Sequence, residues 1–175
     1  MVSRLAFAIF LVVAASAQNA HWQYLDAHNE ARQKVGVGPV TWDPRLERYA
    51  RRYASRRAGD CSLMHSSGPY GENLAWSSGE MAAADAVQLW VDEKPYYDYG
   101  SNSCTQGKQC GHYTQVVWAD STRIGCAMVN CSNGAGTFIT CNYDPPGNYI
   151  GERPYTMSRG WSFSNFFGIR GEIHS

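Results

Sequence analysis

The stretch Gly111-His112-Tyr113-Thr114-Gln115-Val116-Val117-Trp118 sets one histidine inside an aromatic and β-branched run that a solvated loop has no need for. A second histidine stands upstream in Leu63-Met64-His65-Ser66-Ser67-Gly68-Pro69-Tyr70-Gly71-Glu72-Asn73, and two glutamates, Glu72 and Glu93, lie between the two histidines. Imidazoles and carboxylates are the groups that hold divalent cations and move protons near neutral pH, so two of each predict one shared cleft. The same four side chains could instead hydrogen-bond one another and order the surrounding loops. Neither a G-x-S-x-G elbow nor an H-E-x-x-H pair is present, and these are the usual signatures of a serine or zinc hydrolase. The expectation is a non-catalytic binding protein with no assigned catalytic residue. A weak zinc-dependent hydrolase, with a carboxylate as general base, is the enzymatic alternative.

The elements that must position these groups are readable in part. Tyr24, His28, Ala31 and Val35 recur at helical spacing before Gly36, which predicts a helix over 22–35. His28 lies in its apolar stripe and is expected to be a hydrogen-bonded core histidine. Asp43-Pro44 is an N-cap followed by a proline at the first helical position, opening a second helix that ends at Gly59 and buries Leu46, Tyr49, Ala50 and Tyr53. Arg45, Arg48, Arg52 and Arg56 share its outer face within about 80°. That face is either solvated or attractive to anionic wall polymers and lipid headgroups. Glu80–Val91 predicts a third helix with Met81, Ala84, Val87, Trp90 and Val91 inward, stopped by Pro95, so that Glu93 falls at a helix end. A tyrosine-rich loop follows, from Pro95 to Cys104. His112–Ala119 reads as a short helix, and Arg123–Val129 and Thr137–Tyr143 as strands of a hairpin turning at Asn133-Gly134-Ala135-Gly136. Helices first and a hairpin late imply an α+β layered domain.

Arg4, the apolar run Leu5–Ala15 and Ala15-Ser16-Ala17 have the form of an export signal, so residues 1–17 are expected to be removed and the mature chain to begin at Gln18. The run is too short to span a bilayer, and no later stretch approaches the ~20 apolar residues required. Without Arg4, the 15 Lys plus Arg fall to 14 against 15 Asp plus Glu, a balance that predicts no nucleic-acid partner. The six cysteines, Cys61, Cys104, Cys110, Cys126, Cys131 and Cys141, all lie in the mature region. Export makes three disulfides their expected state, while the absence of C-x-x-C argues against a structural zinc site. Six cysteines admit 15 pairings. The tail from Thr156 to Ser175 carries Trp161, Phe163, Phe166, Phe167 and Ile169 at neither helical nor strand spacing.

The two histidine segments, together with Phe138-Ile139-Thr140-Cys141-Asn142-Tyr143-Asp144-Pro145-Pro146-Gly147-Asn148-Tyr149, Tyr24-Leu25-Asp26-Ala27-His28-Asn29 and Arg153-Pro154-Tyr155, resemble the CAP superfamily of cysteine-rich secretory proteins, antigen 5 and pathogenesis-related group 1 proteins, and the plant group 1 members most of all. The resemblance covers residues 18–155 and implies a three-layer α-β-α sandwich. It also implies disulfides Cys61–Cys131, Cys104–Cys110 and Cys126–Cys141. It places His65, Glu72, Glu93 and His112 in the central cleft, with no required cofactor and a weakly bound Zn2+ as the metal to consider. It further implies defence against fungi and oomycetes through sterol or lipid binding by the loop of Tyr96, Tyr97 and Tyr99 with Trp90 at its base. Tyrosine rings offer area and a few hydroxyls to a rigid, mostly apolar plate.

A different function is implied for Pro145–Tyr155, a signalling peptide released by cleavage between Asp144 and Pro145 and read by a receptor. This chain continues past Tyr155, so one cut there would free 31 residues, 145–175. The expected location is extracellular, the apoplast, or the vacuole if residues 156–175 are a sorting extension. A monomer is expected.

Overall fold

A computed structural model describes residues 21–157 apart from 133 and 135. The export signal, the new N-terminus at Gln18 and the tail from residue 158 onward lie outside the described residues.

Helix α1 spans 21–33 and turns Tyr24, His28 and Ala31 inward, each at most 5% exposed. It closes with the N–H of Val37 on the Arg32 carbonyl and that of Gly36 on the Gln33 carbonyl, with Gly36 at φ +74°. This is the Schellman arrangement, whose left-handed residue glycine occupies without a Cβ penalty. After the two-residue strand β1, Thr41–Trp42, helix α2 covers Pro44–Arg57. The Asp43 carboxylate accepts the Arg45 N–H at 2.7 Å. Leu46, Ala50 and Ala54 form its buried face, whereas Tyr49 and Tyr53 are only half-buried. Two small alanines let the helix lie close on the sheet. A Cβ on Gly125 would stand 2.1 Å from the Glu47 backbone nitrogen, so the absence of a side chain there sets the approach.

Helix α3 is Ala83–Val91, three residues shorter at its start than the sequence suggests, and α4 is Gly111–Val116. Between them a 3-10 turn, Lys94–Tyr96, leads into a small ribbon of β3, Tyr97–Asp98, and β4, Ser103–Cys104. The main sheet contains β1, β2 (Gly71–Ser77), β5 (Arg123–Asn130) and β6 (Thr137–Asp144) in the order β1-β5-β6-β2. Only β1 with β5 is parallel.

The sheet separates two apolar layers. On one face Phe138, Leu74 and Ala127 meet Ala50 and Ala54 of α2. On the other, Ile124, Ile139, Cys141 and Tyr143 meet Tyr24 of α1, Val87 and Trp90 of α3, and Tyr113 and Val116 of α4. Strand β6 is buried on both faces, with alternate residues assigned to alternate layers, as a central strand requires. The result is the α-β-α sandwich. Its disulfides are Cys61–Cys131, Cys104–Cys110 and Cys126–Cys141, with no free cysteine among the described residues. Cys126 and Cys141 are direct cross-strand partners. No helix among the described residues is long and apolar enough to cross a membrane.

Candidate functional site

Glu93 follows the end of α3, and α4 begins at Gly111 with no capping side chain of its own. The carboxylate supplies that cap from outside. Its Oε2 accepts the backbone N–H of His112 at 2.9 Å and of Tyr113 at 3.2 Å, and its Oε1 accepts His112 Nδ1 at 2.7 Å. One carboxylate therefore satisfies two orphan donors of the helix and fixes the ring of His112. Glu72 on β2 does the same for the second histidine. Its Oε1 accepts His65 Nδ1 at 2.9 Å and the Ser66 N–H at 2.8 Å, while Oε2 accepts Asn142 Nδ2 at 3.2 Å.

Burial disfavours the charge on each glutamate. The hydrogen bonds from His65, Ser66 and Asn142 outweigh it at Glu72, and those from His112 and Tyr113 at Glu93, so both carboxyls titrate below the usual range. The hydrogen bond to Glu72 raises the His65 imidazole above its ordinary value, against a smaller effect of burial. Because a carboxylate only accepts, Nδ1 carries the hydrogen in both rings, and in the neutral form of such a ring the lone pair lies on Nε2. The structure thus joins the four groups as two histidine–glutamate pairs. His65 is 60% exposed at its side chain and His112 28%. No group of three or more His, Cys, Asp or Glu converges on a metal-sized centre among the described residues.

Asn73 links the two halves. Its Nδ2 donates to the His112 carbonyl at 3.0 Å and to the Tyr143 hydroxyl at 3.2 Å. That hydroxyl lies 2.8 Å from His28 Nε2, and His28 Nδ1 lies 2.7 Å from the Tyr24 carbonyl. The carbonyl must accept, so Nδ1 donates and Nε2 takes the Tyr143 proton. Burial, opposed by the hydrogen bond to the Tyr24 carbonyl and aided by the nearby Arg32 charge, pushes the His28 pKa down to about 4. His28 is a core histidine, as its place in the apolar stripe implies.

Arg32, also on α1, is 1% exposed and aims its guanidinium at the carbonyls of Gly38, Val116, Trp118 and Ser121 between 2.7 and 3.0 Å. It gathers the end of α4 and the chain beyond it. Neither Asn73 nor Arg32 announces such a role in the sequence, since their residue types are ordinarily exposed. Asn73 did stand inside the His65 segment, which was the available signal.

The loop aromatics are placed unequally. Trp90 is 2% exposed, with its indole N–H on the Leu74 carbonyl at 3.0 Å. Tyr97 packs against the core and donates to Asn102 Oδ1 at 2.7 Å. Tyr99 stacks on Tyr155 and donates to its carbonyl at 3.1 Å. Tyr96 alone of the four is on the surface, 36% exposed, with Lys108 Nζ 5.0 Å above its ring. The Asp144–Pro145 junction is stitched down on both sides. Asp144 accepts Arg123 Nη2 at 2.6 Å, and Ser121 Oγ donates to the Pro145 carbonyl at 2.7 Å. Beyond it, the Gly147 N–H bonds Gln115 Oε1 and Asn148 bonds Thr114 and Gly111.

The α-β-α sandwich with its three disulfides accords with the class its sequence shows: the chain belongs to the Cysteine-rich secretory protein family (CAP), whose sequence profile matches residues 25–143. Within that family it is like the plant pathogenesis-related 1 proteins. It is 61% identical over 150 residues to Pathogenesis-related protein 1A of Nicotiana tabacum, covering 84% of this chain and 89% of that one. It is 57% identical over 145 residues to Pathogenesis-related protein 1 of Arabidopsis thaliana, covering 83% and 88%. Among solved structures, Na-ASP-1 superposes with a TM-score of 0.67 at 29% identity, over 79% of this chain and 42% of that one.

Proposed function

We propose that this pathogenesis-related 1-type protein is exported to the apoplast, binds sterol, and acts against fungal or oomycete pathogens by withholding sterol from them, with no catalytic step of its own. The observation that carries the reading is Tyr96, an aromatic ring held at the surface of a loop that is rigid beneath it. The ribbon β3–β4, the Cys104–Cys110 disulfide and the Tyr99–Tyr155 stack immobilise that loop before any ligand arrives. Preorganisation of this kind lowers the ordering cost of binding a flat apolar ligand. Tyr97, Tyr99 and Trp90 then serve as the support of the platform, and Tyr96 as its contact. The test is growth of a sterol-importing oomycete with the purified protein present. Inhibition that excess sterol relieves supports the reading, and inhibition indifferent to added sterol overturns it.

We also propose a weakly held Zn2+ with few protein ligands, since no three His, Cys, Asp or Glu converge among the described residues. A histidine whose Nδ1–H is bound by a carboxylate is the usual form of a zinc-ligating imidazole, so His65 and His112 would bind through Nε2 with Glu72 and Glu93 orienting them. Such an ion would supply Lewis acidity or a structural clamp. Calorimetric titration with zinc tests this, and heat unchanged by His65→Ala together with His112→Ala would contradict it. Release of a peptide from Pro145 would require the bonds of Asp144 to Arg123, Pro145 to Ser121 and Gly147 to Gln115 to open first, which weighs for sterol capture over the precursor role.

A further inference from the structure

Helix α2 carries six arginines, Arg45, Arg48, Arg51, Arg52, Arg56 and Arg57, against a single acid, Glu47. Three are compensated: Arg45 pairs with Asp43, Arg51 with Glu47 and Arg57 with Asp60. Arg48, Arg52 and Arg56 are exposed and form no ion pair among the described residues. They recur every four residues, so they stand about 6 Å apart along the helix axis in one stripe.

The loop that follows α2 is fastened along the flank of this stripe. The Tyr53 hydroxyl donates to the Met64 carbonyl, the Tyr49 hydroxyl donates to Ser66 Oγ at 2.9 Å, and the Cys61–Cys131 disulfide anchors the loop's start. Held there, Leu63 and Met64 are 56% and 59% exposed. Nearby acids are already engaged: Asp60 with Arg57 and the Ser62 N–H, and Glu72, whose side chain is 5% exposed, with His65. A cationic stripe beside an immobilised apolar tip is the pattern of a surface that binds at a membrane interface.

We propose that this face docks the protein on bilayers rich in anionic phospholipid, with Arg48, Arg52 and Arg56 at the headgroup phosphates and Leu63 and Met64 entering the interface. A polyuronate chain would satisfy the arginines equally well but would leave Leu63 and Met64 in water, and their exposure decides for the lipid. The docking face shares no residue with the Tyr96 loop and is independent of sterol capture.

Sedimentation of the mature protein with sterol-free vesicles tests it, using phosphatidylcholine with and without phosphatidylserine. Binding should require phosphatidylserine and weaken as salt is raised. Arg48→Ser/Arg52→Ser/Arg56→Ser should reduce affinity roughly 100-fold, since each basic residue contributes about a fivefold factor near an anionic surface. Leu63→Ser/Met64→Ser should reduce it about 10-fold or more by removing apolar side chains from the interface. All five positions are exposed, and an unchanged circular dichroism spectrum confirms that the variants fold. No sedimentation with phosphatidylserine vesicles, or wild-type affinity in either variant, overturns the proposal. So does retention on polygalacturonate without vesicle binding.

Discussion

His28 shows how a titratable group is held neutral by its surroundings. It is fully buried, and its second nitrogen already accepts a proton from Tyr143, so the folded state resists its protonation down to a pKa of about 4 against 6.5 in the free side chain. As pH falls the unfolded chain takes the proton first. The stabilisation is therefore complete above pH 6.5 and is lost toward pH 4, by about 2 kcal/mol between pH 7 and 5. Urea unfolding at those two pH values should show this loss in the parent and not in His28→Gln. His65 works in the opposite direction, because its raised pKa contributes stability at low pH that disappears as pH rises, though its exposure keeps that effect small. Arg32 is the second residue on which α1 depends. Replacing it with Met strands several buried carbonyls and should cost about 3–5 kcal/mol in the same measurement. A loss below 1 kcal/mol would mean that water replaces the guanidinium. His28 was legible because it fell in a periodic apolar stripe. Arg32 and Asn73 were not, because nothing in a polar residue's type announces that its partners are backbone carbonyls far along the chain.

Among the elements, α2 and the β5–β6 hairpin were readable from a cap, a proline and β-branched runs. Strand β2 was not. Gly71-Glu72-Asn73-Leu74-Ala75-Trp76-Ser77 has little strand propensity and becomes a strand because all seven residues pair with β6, a case of tertiary pairing overriding local preference. That same pairing puts Glu72 and Asn73 on opposite faces of the sheet edge, one toward His65 and the other toward His112, so the unread strand is what joins the site. Helix α4 is legible as a helix but not in its cap, since the capping carboxylate comes from Glu93, 18 residues before its first residue. The seat of α2 on the sheet depends on Gly125. Gly125→Ala would drive a methyl into the backbone of Leu46 and Glu47 and should lower stability by about 3 kcal/mol or more. Thermal melting checks this, and an unchanged midpoint would show that α2 can lift without cost.

For the molecule as a whole, the three disulfides divide their work by span. Cys61–Cys131 closes a separation of 70 residues and Cys104–Cys110 one of 6, for which the loop-entropy account gives about 4 and about 2 kcal/mol. Cys61→Ser/Cys131→Ser should accordingly destabilise the domain about twice as much as Cys104→Ser/Cys110→Ser. The second pair instead ties down the end of the loop that carries Tyr96. Pairing could not be read from spacing, since six cysteines leave many arrangements and only the folded topology sets Cys126 opposite Cys141. Sterol capture, as proposed, turns on the Tyr96 ring at the loop surface. Titrating the mature protein and Tyr96→Ser with a fluorescent sterol tests it most directly. Saturable binding that weakens roughly 10-fold or more when the ring is removed is the expected result. Equal affinity in the two proteins, or no binding by the parent, would contradict it.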